Sequence, residues 1–447
     1  MLGPASRYPR PACEFGHVLC QSVSVSKLLL DLTPLREIPD YRRIFAAVSI
    51  SNIGQQMTAV AVAIQVYDIT KSSFAVGLVG MAQLLPLVVL GLFGGAMSDS
   101  YDRRTIGFVS AVGMAGSSVL LLIQAIQGNQ QVWPLYLFVA MSSGFYAVGN
   151  PARQSIIPRI VPAQHLQAAN SLSFLTWNIG FTIGPLLGGV LIALTGNVAV
   201  AYGVDAIAFT VMMWAMWALP KLPPMEGAPL KPNLSSVKEG LVFLKGKRNV
   251  QMTFYLDLSA MIFGMPRALF PAIALLWYGG SGVSTAAIVG LLTAAPALGA
   301  ALSAIFSGPL QRVYKQGTAI VWAIVGWGAA IAAFGMTRNL YLALFFLAVA
   351  GAADNISAIF RTTMMQIVVP DEYRGRLQGL FTVVVAGGPR LGDFESGTVA
   401  AIGGEQVSVV SGGLACIACT YALVRWHKPF MKYDSRNPVA SLPNGTN

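Results

Sequence analysis

Twelve long apolar stretches, separated by short polar ones, dominate the hydrophobic pattern of this chain. A helix that crosses a bilayer needs about 20 largely apolar residues, and each stretch is long enough. The pattern predicts spanning helices at 44–67, 74–97, 106–127, 133–151, 168–194, 198–219, 250–277, 284–306, 317–336, 339–360, 378–402 and 407–424. We therefore expect an all-α membrane protein with twelve transmembrane helices.

The longest polar interruption divides the spans six and six. Its first residues are rich in Pro and Gly, as in a linker, and SVKEGLVFLKG near its end predicts an amphipathic helix on the membrane surface. The resulting segments are a tail with an amphipathic lead-in (LLLDLTPLREIPDYRRIF, 28–45) at 1–41, a six-helix bundle at 42–219, the linker at 220–249, a second bundle at 250–426 and a tail at 427–447.

Composition and charge agree with this reading. Hydrophobic residues make up 55% of the 447 positions and charged residues 11%, with a mean hydropathy of +0.63. The tails and the loops after even-numbered spans hold 25 of the 29 Lys and Arg residues, and the other loops hold only Lys71 and Arg338. Since cytoplasmic loops are enriched in Lys and Arg, we expect a multi-pass protein of the cell membrane with both termini in the cytoplasm. Basic residues confined to short loops do not indicate a nucleic-acid partner.

The two halves contain an internal repeat. Residues 152–172 and 360–380 align with a shift of 208, which superposes Arg153 on Arg361. Downstream, the sequence GPLLG at 184–188 is matched by GPRLG at 388–392. Repeated six-span halves are typical of secondary transporters that rock around a central site.

The loop after the second span combines small and charged residues: Gly95, Asp99, Asp102, Arg103 and Arg104. It resembles the signature loop of the major facilitator superfamily, in which an acid and an Arg pair clamp the inner side shut. Two positions depart from that pattern, since Ser100 replaces the usual Arg and Asp102 the usual second Gly. Ordinary loop charge is the alternative interpretation.

The fifth span carries a stripe of small residues with one proline: Gly180, Gly184, Pro185, Gly188 and Gly189. Glycines at i, i+4 and i+8 share one helix face and permit close packing, while the proline kinks the helix. The stripe resembles the antiporter motif of the same superfamily, which favours export over import. Generic helix packing is the alternative.

The resemblance extends over about 28–426 and, in its finer pattern, points to the branch that contains enterobactin exporters and actinobacterial multidrug efflux proteins. The stretches that carry it are LLLDLTPLREIPDYRRIF, NPARQSIIPRIVP, TTMMQIVVPDEYRGRLQGL and GGPRLGDFESG. It implies two pseudo-symmetric six-helix bundles and proton-driven export of a siderophore or a drug.

Ionisable groups inside the spans are costly and are therefore functional candidates. Asp257 and Asp354 lie about 10 Å from the cytoplasmic end of their spans. We expect them to lack a fixed counter-charge, apart from Arg361 near the mouth of the tenth span, and we predict that one of them carries the proton.

A second group lies nearer the outer side, together with Asp205 of the sixth span. Arg390 and Asp393 are three residues apart and are expected to pair on one helix. Glu395 is then expected to pair with Arg267, so that these outer charges are largely structural. Asp393 and Glu395 remain alternative proton-coupling candidates.

Asn52, Gln55 and Gln56 of the first span are candidates for lining the substrate cavity, or alternatively for hydrogen bonding between helices. No pattern of metal ligands, nucleotide-binding loop or nucleophile–base pair is evident, so we expect no enzyme activity, no metal site and no cofactor besides an ion gradient.

The leading interpretation is an alternating-access antiporter, a monomer in the lipid bilayer, that exports a small organic molecule against protons. A transporter-like receptor or scaffold without transport is the alternative. The intramembrane acids favour transport.

Overall fold

A computed structural model describes residues 31–223, 242, 244–308, 310, 313–368 and 371–436; within these ranges the side chains of 92–96, 98–99, 366 and 371–383 stand outside the description. The predicted tails at 1–30 and 437–447 and most of the predicted linker, including its surface helix, therefore lie outside the described residues.

The described chain is helical nearly throughout, and no strand occurs within it. The α-helices are α1 (Thr33–Glu37), α2 (Pro39–Thr70), α3 (Ser73–Ser100), α4 (Arg103–Ile126), α5 (Trp133–Ile160), α6 (Leu166–Thr195), α7 (Ala199–Trp217), α8 (Arg248–Phe263), α9 (Phe270–Tyr278), α10 (Thr285–Ile305), α11 (Gln316–Met336), α12 (Leu340–Val368) and α13 (Asp371–Trp426).

The all-α membrane fold is confirmed. Ten helical segments of the described residues are long and apolar enough to cross a membrane. Trp133–Ile160 is not among them because its residues are less apolar, and Val384–Trp426 contains two crossings. Helix α13 breaks at Gly404, whose φ of 84° is left-handed, into a first arm at 371–403 and a second arm at 405–426.

The seventh span differs from the continuous helix expected at 250–277. Helix α8 ends at Phe263, a 3-10 turn covers Arg267–Leu269, and α9 completes the crossing. Two prolines at the break, Pro266 and Pro271, lack the N–H that a continuous helix needs at those positions. The amphipathic lead-in is also divided, into α1 and the start of α2, where the Tyr41 hydroxyl donates to the Ala169 carbonyl at 2.9 Å.

Successive spans alternate in direction, so the helix ends define two faces. We call the end that carries Pro39, Trp217, Arg248 and Trp426 the linker face. The other end, which carries the turns at 71–72, 196–198, 279–284, 337–339 and the break at Gly404, is the opposite face.

The helices pack as two groups. In the N-terminal half, α2 packs on α6 and α7. Helices α4 and α5 pack on each other; α4 also packs on α7, and α5 also packs on α3. In the C-terminal half, α12 packs on α10 and α11, and α13 packs on α8 and α11. The halves meet mainly through two helix pairs, α3 with α13 and α6 with α10.

Candidate functional site

The two halves are closed against each other near the opposite face. A Cβ atom on Gly189 of α6 would lie 2.5 Å from the Ala286 carbonyl oxygen of α10. A Cβ atom on Gly290 of α10 would lie 2.5 Å from the Pro185 carbonyl oxygen of α6. The two backbones therefore touch directly, because neither position carries a side chain.

The second helix pair is closed at the same level. A Cβ atom on Gly77 of α3 would lie 2.6 Å from the Asp393 carbonyl oxygen, and one on Gly397 of α13 would lie 2.7 Å from the Ser73 carbonyl oxygen. The rings of Phe74 and Phe394 pack across this seam with their centroids 6.0 Å apart.

Two polar contacts also join the halves here. The Ser73 hydroxyl donates to Glu405 Oε1 at 3.0 Å. Ten residues after Ser73 on α3, and therefore deeper between the halves, Gln83 Oε1 accepts a hydrogen bond from Arg390 Nε at 3.1 Å. Side chains of both halves thus seal the route between them toward the opposite face.

The glycine stripe of α6 mostly faces its own half. Added Cβ atoms would lie 3.0 Å from Asn52 Cβ at Gly180, 2.6 Å from Gln56 Cβ at Gly184, and 3.0 Å from Met57 Cα at Gly188. Three glycines therefore allow α6 to pack closely on α2, and Gly189 allows it to pack closely on α10. The stripe positions a helix that belongs to the seam between the halves.

The cavity candidates lie beside this stripe. Asn52, Gln55 and Gln56 are each half-buried, and within the described chain no hydrogen bond is recorded for their side chains. Asn52 and Gln56 lie against α6 of their own half, and the lining of a substrate cavity by the three side chains stays a prediction.

A buried charge cluster joins α8 and α12. Arg361 Nη1 lies 2.8 Å from Asp257 Oδ1, and its Nη2 lies 3.8 Å from Asp354 Oδ1. Arg361 and Asp257 are 2% and 1% exposed, whereas Asp354 is 36% exposed. The 2.8 Å contact does not meet hydrogen-bond geometry, and Asp257 Oδ2 has no hydrogen-bond partner.

The expectation that Asp257 and Asp354 lack a fixed counter-charge is therefore wrong. Arg361 lies seven residues after Asp354, two helical turns further along α12, and its long side chain reaches back between both carboxylates. Two acids share one base, which leaves the cluster with one negative charge in excess when all three groups are ionised.

The outer charges pair differently from the prediction. Arg267 Nη2 donates to Asp393 Oδ2 at 2.9 Å, so Arg267 pairs with Asp393 and not with Glu395. Arg390 contacts Gln83 and the Ala386 carbonyl rather than pairing with Asp393. The break between α8 and α9 moves Arg267 out of the helix register that the prediction assumed. Glu395 is half-buried and has no described partner.

The predicted spans missed a buried basic group of α5. Arg153 lies inside α5, because that helix extends beyond residue 151, and its guanidinium lies 5.7 Å from the Tyr146 ring centroid. Its Nη1 is buried without a hydrogen-bond partner. The internal repeat was the available signal, since it aligns Arg153 with Arg361.

Asp205 of α7 is 2% exposed and forms a separate buried site inside the N-terminal half. Its Oδ2 accepts hydrogen bonds from Thr58 Oγ1 at 2.9 Å and from Ser118 Oγ at 2.7 Å. Its Oδ1 has no partner. The sequence placed this acid within a span, but nothing there indicated its two hydroxyl donors.

The predicted gating loop is anchored within the N-terminal half. Asp102 caps α4 by accepting from the Arg104 backbone N–H at 2.9 Å, and it also accepts from the Leu222 N–H at 3.3 Å. Arg103 is buried and donates to the Ser155 carbonyl at 3.3 Å. Gly95 and the side chain of Asp99 lie outside the described side chains, so the clamp between the halves stays a prediction.

Comparison with known proteins adds relatives at the level of sequence. The family described as "Transmembrane secretion effector" matches residues 30–446. The enterobactin exporter EntS of Citrobacter koseri is 31% identical over 369 residues, which cover 81% of this chain and 86% of that protein. The enterobactin exporter EntS of Escherichia coli O157:H7 is 30% identical over 422 residues, covering 93% and 99%.

Solved structures share the fold. The nucleoside transporter NupG superposes with a TM-score of 0.72 at 13% identity, covering 87% of this chain and 99% of that one. A bacterial homologue of the lysosomal transporter Spinster, in an inward-facing and unoccupied conformation, superposes with a TM-score of 0.66 at 17% identity, covering 89% and 97%.

Proposed function

This chain belongs to the transmembrane secretion effector family of the major facilitator superfamily, and we propose that it is a proton-coupled antiporter. It is a multi-pass secondary transporter that exports a small molecule across the cell membrane, and it is not an enzyme. We further propose that protons are the coupling ion, that the substrate carries acidic or phenolic groups, and that the linker face lies in the cytoplasm.

The observation that carries the proposal is the closure of the two halves near one face. At the seam, glycine backbones and a few polar contacts join helices of different halves. In the proposed cycle, rocking of the halves exchanges these contacts for contacts at the linker face. The closed seam supports alternating access.

We assign the linker face to the cytoplasm because of the asymmetry of Lys and Arg. In this orientation the described conformation is closed toward the outside. A single cysteine at residue 130 should react with a membrane-impermeant reagent in intact cells, whereas a single cysteine at residue 230 should react only after lysis. The reverse pattern would contradict the orientation.

The coupling site proposed for the C-terminal half is the cluster of Asp257, Arg361 and Asp354. Protonation of one acid releases Arg361 to the other, and this changes the link between α8 and α12. Coupling requires such a link between proton binding and helix position. Glu395 and Asp393 are the alternative carriers.

The charge along the route between the halves favours a substrate with acidic or phenolic groups. Arg153 offers a guanidinium nitrogen without a partner, and Arg390 lies on the facing half. Arg is well suited to such groups because it binds oxygen pairs in two parallel hydrogen bonds. A siderophore of the enterobactin type has this chemistry, and a drug with the same groups is the second candidate.

Flux into and out of liposomes tests the proposal. The full chain is reconstituted in liposomes loaded with iron-free enterobactin or with fluorescein, a dye that carries acidic and phenolic groups. We expect transport away from the linker-face compartment when the opposite compartment is acidified, and loss of that transport when a protonophore is added. Flux that ignores the pH gradient would contradict proton coupling, and no flux of either probe above protein-free liposomes would contradict this choice of substrates.

Variants of the cluster test the coupling site. Asp257→Asn and Asp354→Asn should each lose pH-driven flux and keep part of the exchange that needs no gradient. Asp68→Asn is the matched control, because Asp68 pairs with Lys71 in water at the opposite face. If both cluster variants keep full pH-driven flux while Glu395→Gln loses it, the proton is carried by Glu395.

A further inference from the structure

We propose that Asp205 is a proton-binding site of the N-terminal half, reached from the opposite face through the polar interior around Tyr202. This inference deepens the proposed proton coupling and rests on it for its role in transport. The site is separate from the cluster at Arg361, which lies in the other half.

The first observation is a carboxyl group without a counter-charge. Asp205 is buried among α2, α4 and α7, and the groups that contact it are the hydroxyls of Thr58 and Ser118. Helix α6 contains no charged residue. The charged residues of α2 and α4 lie at the helix ends: Asp40, Arg42, Arg43 and Asp68 on α2, and Arg103 and Arg104 on α4. A buried ionised carboxylate without a cation nearby is strongly disfavoured.

The second observation is the free oxygen. Oδ1 of Asp205 has no hydrogen-bond partner, and it points at Gly54, where an added Cβ atom would lie only 2.8 Å away. Both described donors are directed to Oδ2, which leaves Oδ1 as the atom that takes up a proton. A metal cation is a poor alternative because it needs several oxygen ligands around it, and Oδ1 faces a glycine backbone.

The third observation is a polar path toward water. Tyr202 lies one turn before Asp205 on the same helix face, and its hydroxyl donates to Gln65 Oε1 at 2.7 Å. Gln65 Nε2 donates to Gln124 Oε1 at 2.8 Å, and Gln124 Nε2 donates to the Asn129 carbonyl at 3.0 Å. Asn129 belongs to the turn between α4 and α5 at the opposite face.

These groups place buried polar side chains between the opposite face and Tyr202, one turn from Asp205. Within the described residues no hydrogen bond joins Tyr202 to Asp205 itself. An ionisable group such as Asp205 inside a span is costly and marks a functional site. Hydronium from the opposite face donates its proton to Oδ1, which yields the neutral acid and water, and release reverses this step.

Infrared titration of the reconstituted protein tests proton binding without any substrate. On acidification the wild type should gain the C=O band of a buried carboxylic acid, and Asp205→Asn should lack this band. Asp434→Asn is the matched control, because hydrogen bonds from Arg436 hold the pKa of the partly exposed Asp434 carboxyl at about 2. Identical titrations of wild type and Asp205→Asn would overturn the proposal, as would suppression of the band by sodium but not by choline.

A second variant keeps Asp205 and alters only the path. Tyr202→Phe should retain the acid band but slow its appearance after a pH jump on the opposite face. Tyr136→Phe is its control. The Tyr136 hydroxyl lies in the same half and donates to the backbone carbonyl of Ala75 at 2.9 Å, so it is not part of the Tyr202–Gln65–Gln124 series of side-chain hydrogen bonds. Equal rates in wild type and Tyr202→Phe would overturn the path.

Flux measurements connect the site to transport. In Asp205→Asn, pH-driven flux of enterobactin or fluorescein should fall to the level of protein-free liposomes, while exchange without a gradient persists. Full pH-driven flux in this variant would overturn a coupling role for Asp205. If wild-type flux ignores the gradient, the proposed antiport fails, and the infrared titration still decides whether Asp205 binds a proton.

Discussion

Gly189 leaves no room for a side chain between α6 and α10. Gly189→Ala would place a methyl group 2.5 Å from the Ala286 carbonyl and 3.0 Å from Gly290 Cα, and backbone atoms on both sides cannot move independently. Overpacking of this kind costs about 1–3 kcal/mol, so the closed seam should lose population by roughly tenfold.

Alkylation of a single cysteine at residue 83 measures this change, because Gln83 lies at the closed seam. It should react faster from the opposite face in Gly189→Ala than in the parent. Gly203→Ala is the matched control, since the nearest atom to its added Cβ would be 3.9 Å away. Equal reactivity in both variants would show that the α6–α10 contact does not control the seam.

His427 makes a pH-sensitive contact at the linker face, just after the last span. Its ring Nε2 donates to Asn249 Oδ1 at 3.0 Å, and the side chain is fully buried. Burial, assisted by the charge of Arg248, lowers the pKa of His427 below its usual 6.5. The unfolded chain therefore binds a proton that the folded protein excludes, and stability falls as pH decreases below 6.5.

We expect His427→Gln to flatten this pH dependence, by up to about 1.4 kcal/mol for each pH unit below the unfolded pKa. Unfolding midpoints in detergent micelles at neutral and at mildly acidic pH measure the effect. Parallel pH curves for the wild type and His427→Gln would show that His427 is not the titrating group.

The sequence identified the residues that carry charge inside the spans, but not their partners. Arg361 reaches Asp257 across about a hundred positions of sequence, and Thr58 and Ser118 reach Asp205 from two other helices. Helix periodicity predicts neighbours three or four residues apart on one helix. Contacts between helices depend on how whole spans pack, which no local pattern contains.

At the level of elements, Gly404 separates the last two spans without a loop. Its φ of 84° and ψ of 165° lie in a region that only glycine adopts readily. Gly404→Ala should lower the free energy of unfolding by about 1–3 kcal/mol, measured by unfolding in mixed micelles. Gly280→Ala at the same face is the control, since its added Cβ meets nothing within 4 Å. Equal stability of the two variants would contradict the strain at Gly404.

The sequence predicted where spanning helices occur, but it did not predict where a helix breaks or how far it extends. Apolar length alone predicts most of the crossing helices, because lipid requires every span to be a long apolar segment. The break at Pro266 and the extension of α5 to Ile160 escaped the prediction. Both depend on residues that a hydropathy window averages, and they place Arg267 beside Asp393 and Arg153 beside Tyr146.

At the level of the whole molecule, the described seam should open during each transport cycle. Cysteines that replace Phe74 and Phe394 stand on different halves, where the native rings are 6.0 Å apart, so a short bifunctional reagent can join them. We expect the joined protein to lose flux in liposomes entirely, because rocking requires these residues to separate.

The control pair replaces Trp177 and Phe181, whose rings are 4.9 Å apart within α6. Joining two residues of one helix adds a reagent of the same size but restrains no motion between the halves, so flux should persist. A reagent with a reducible bond makes the test reversible, since reduction should restore flux to the Phe74–Phe394 pair. Full flux through the joined Phe74–Phe394 protein would mean that substrate crosses without separation of the halves at the opposite face, and alternating access by rocking would then be wrong for this chain.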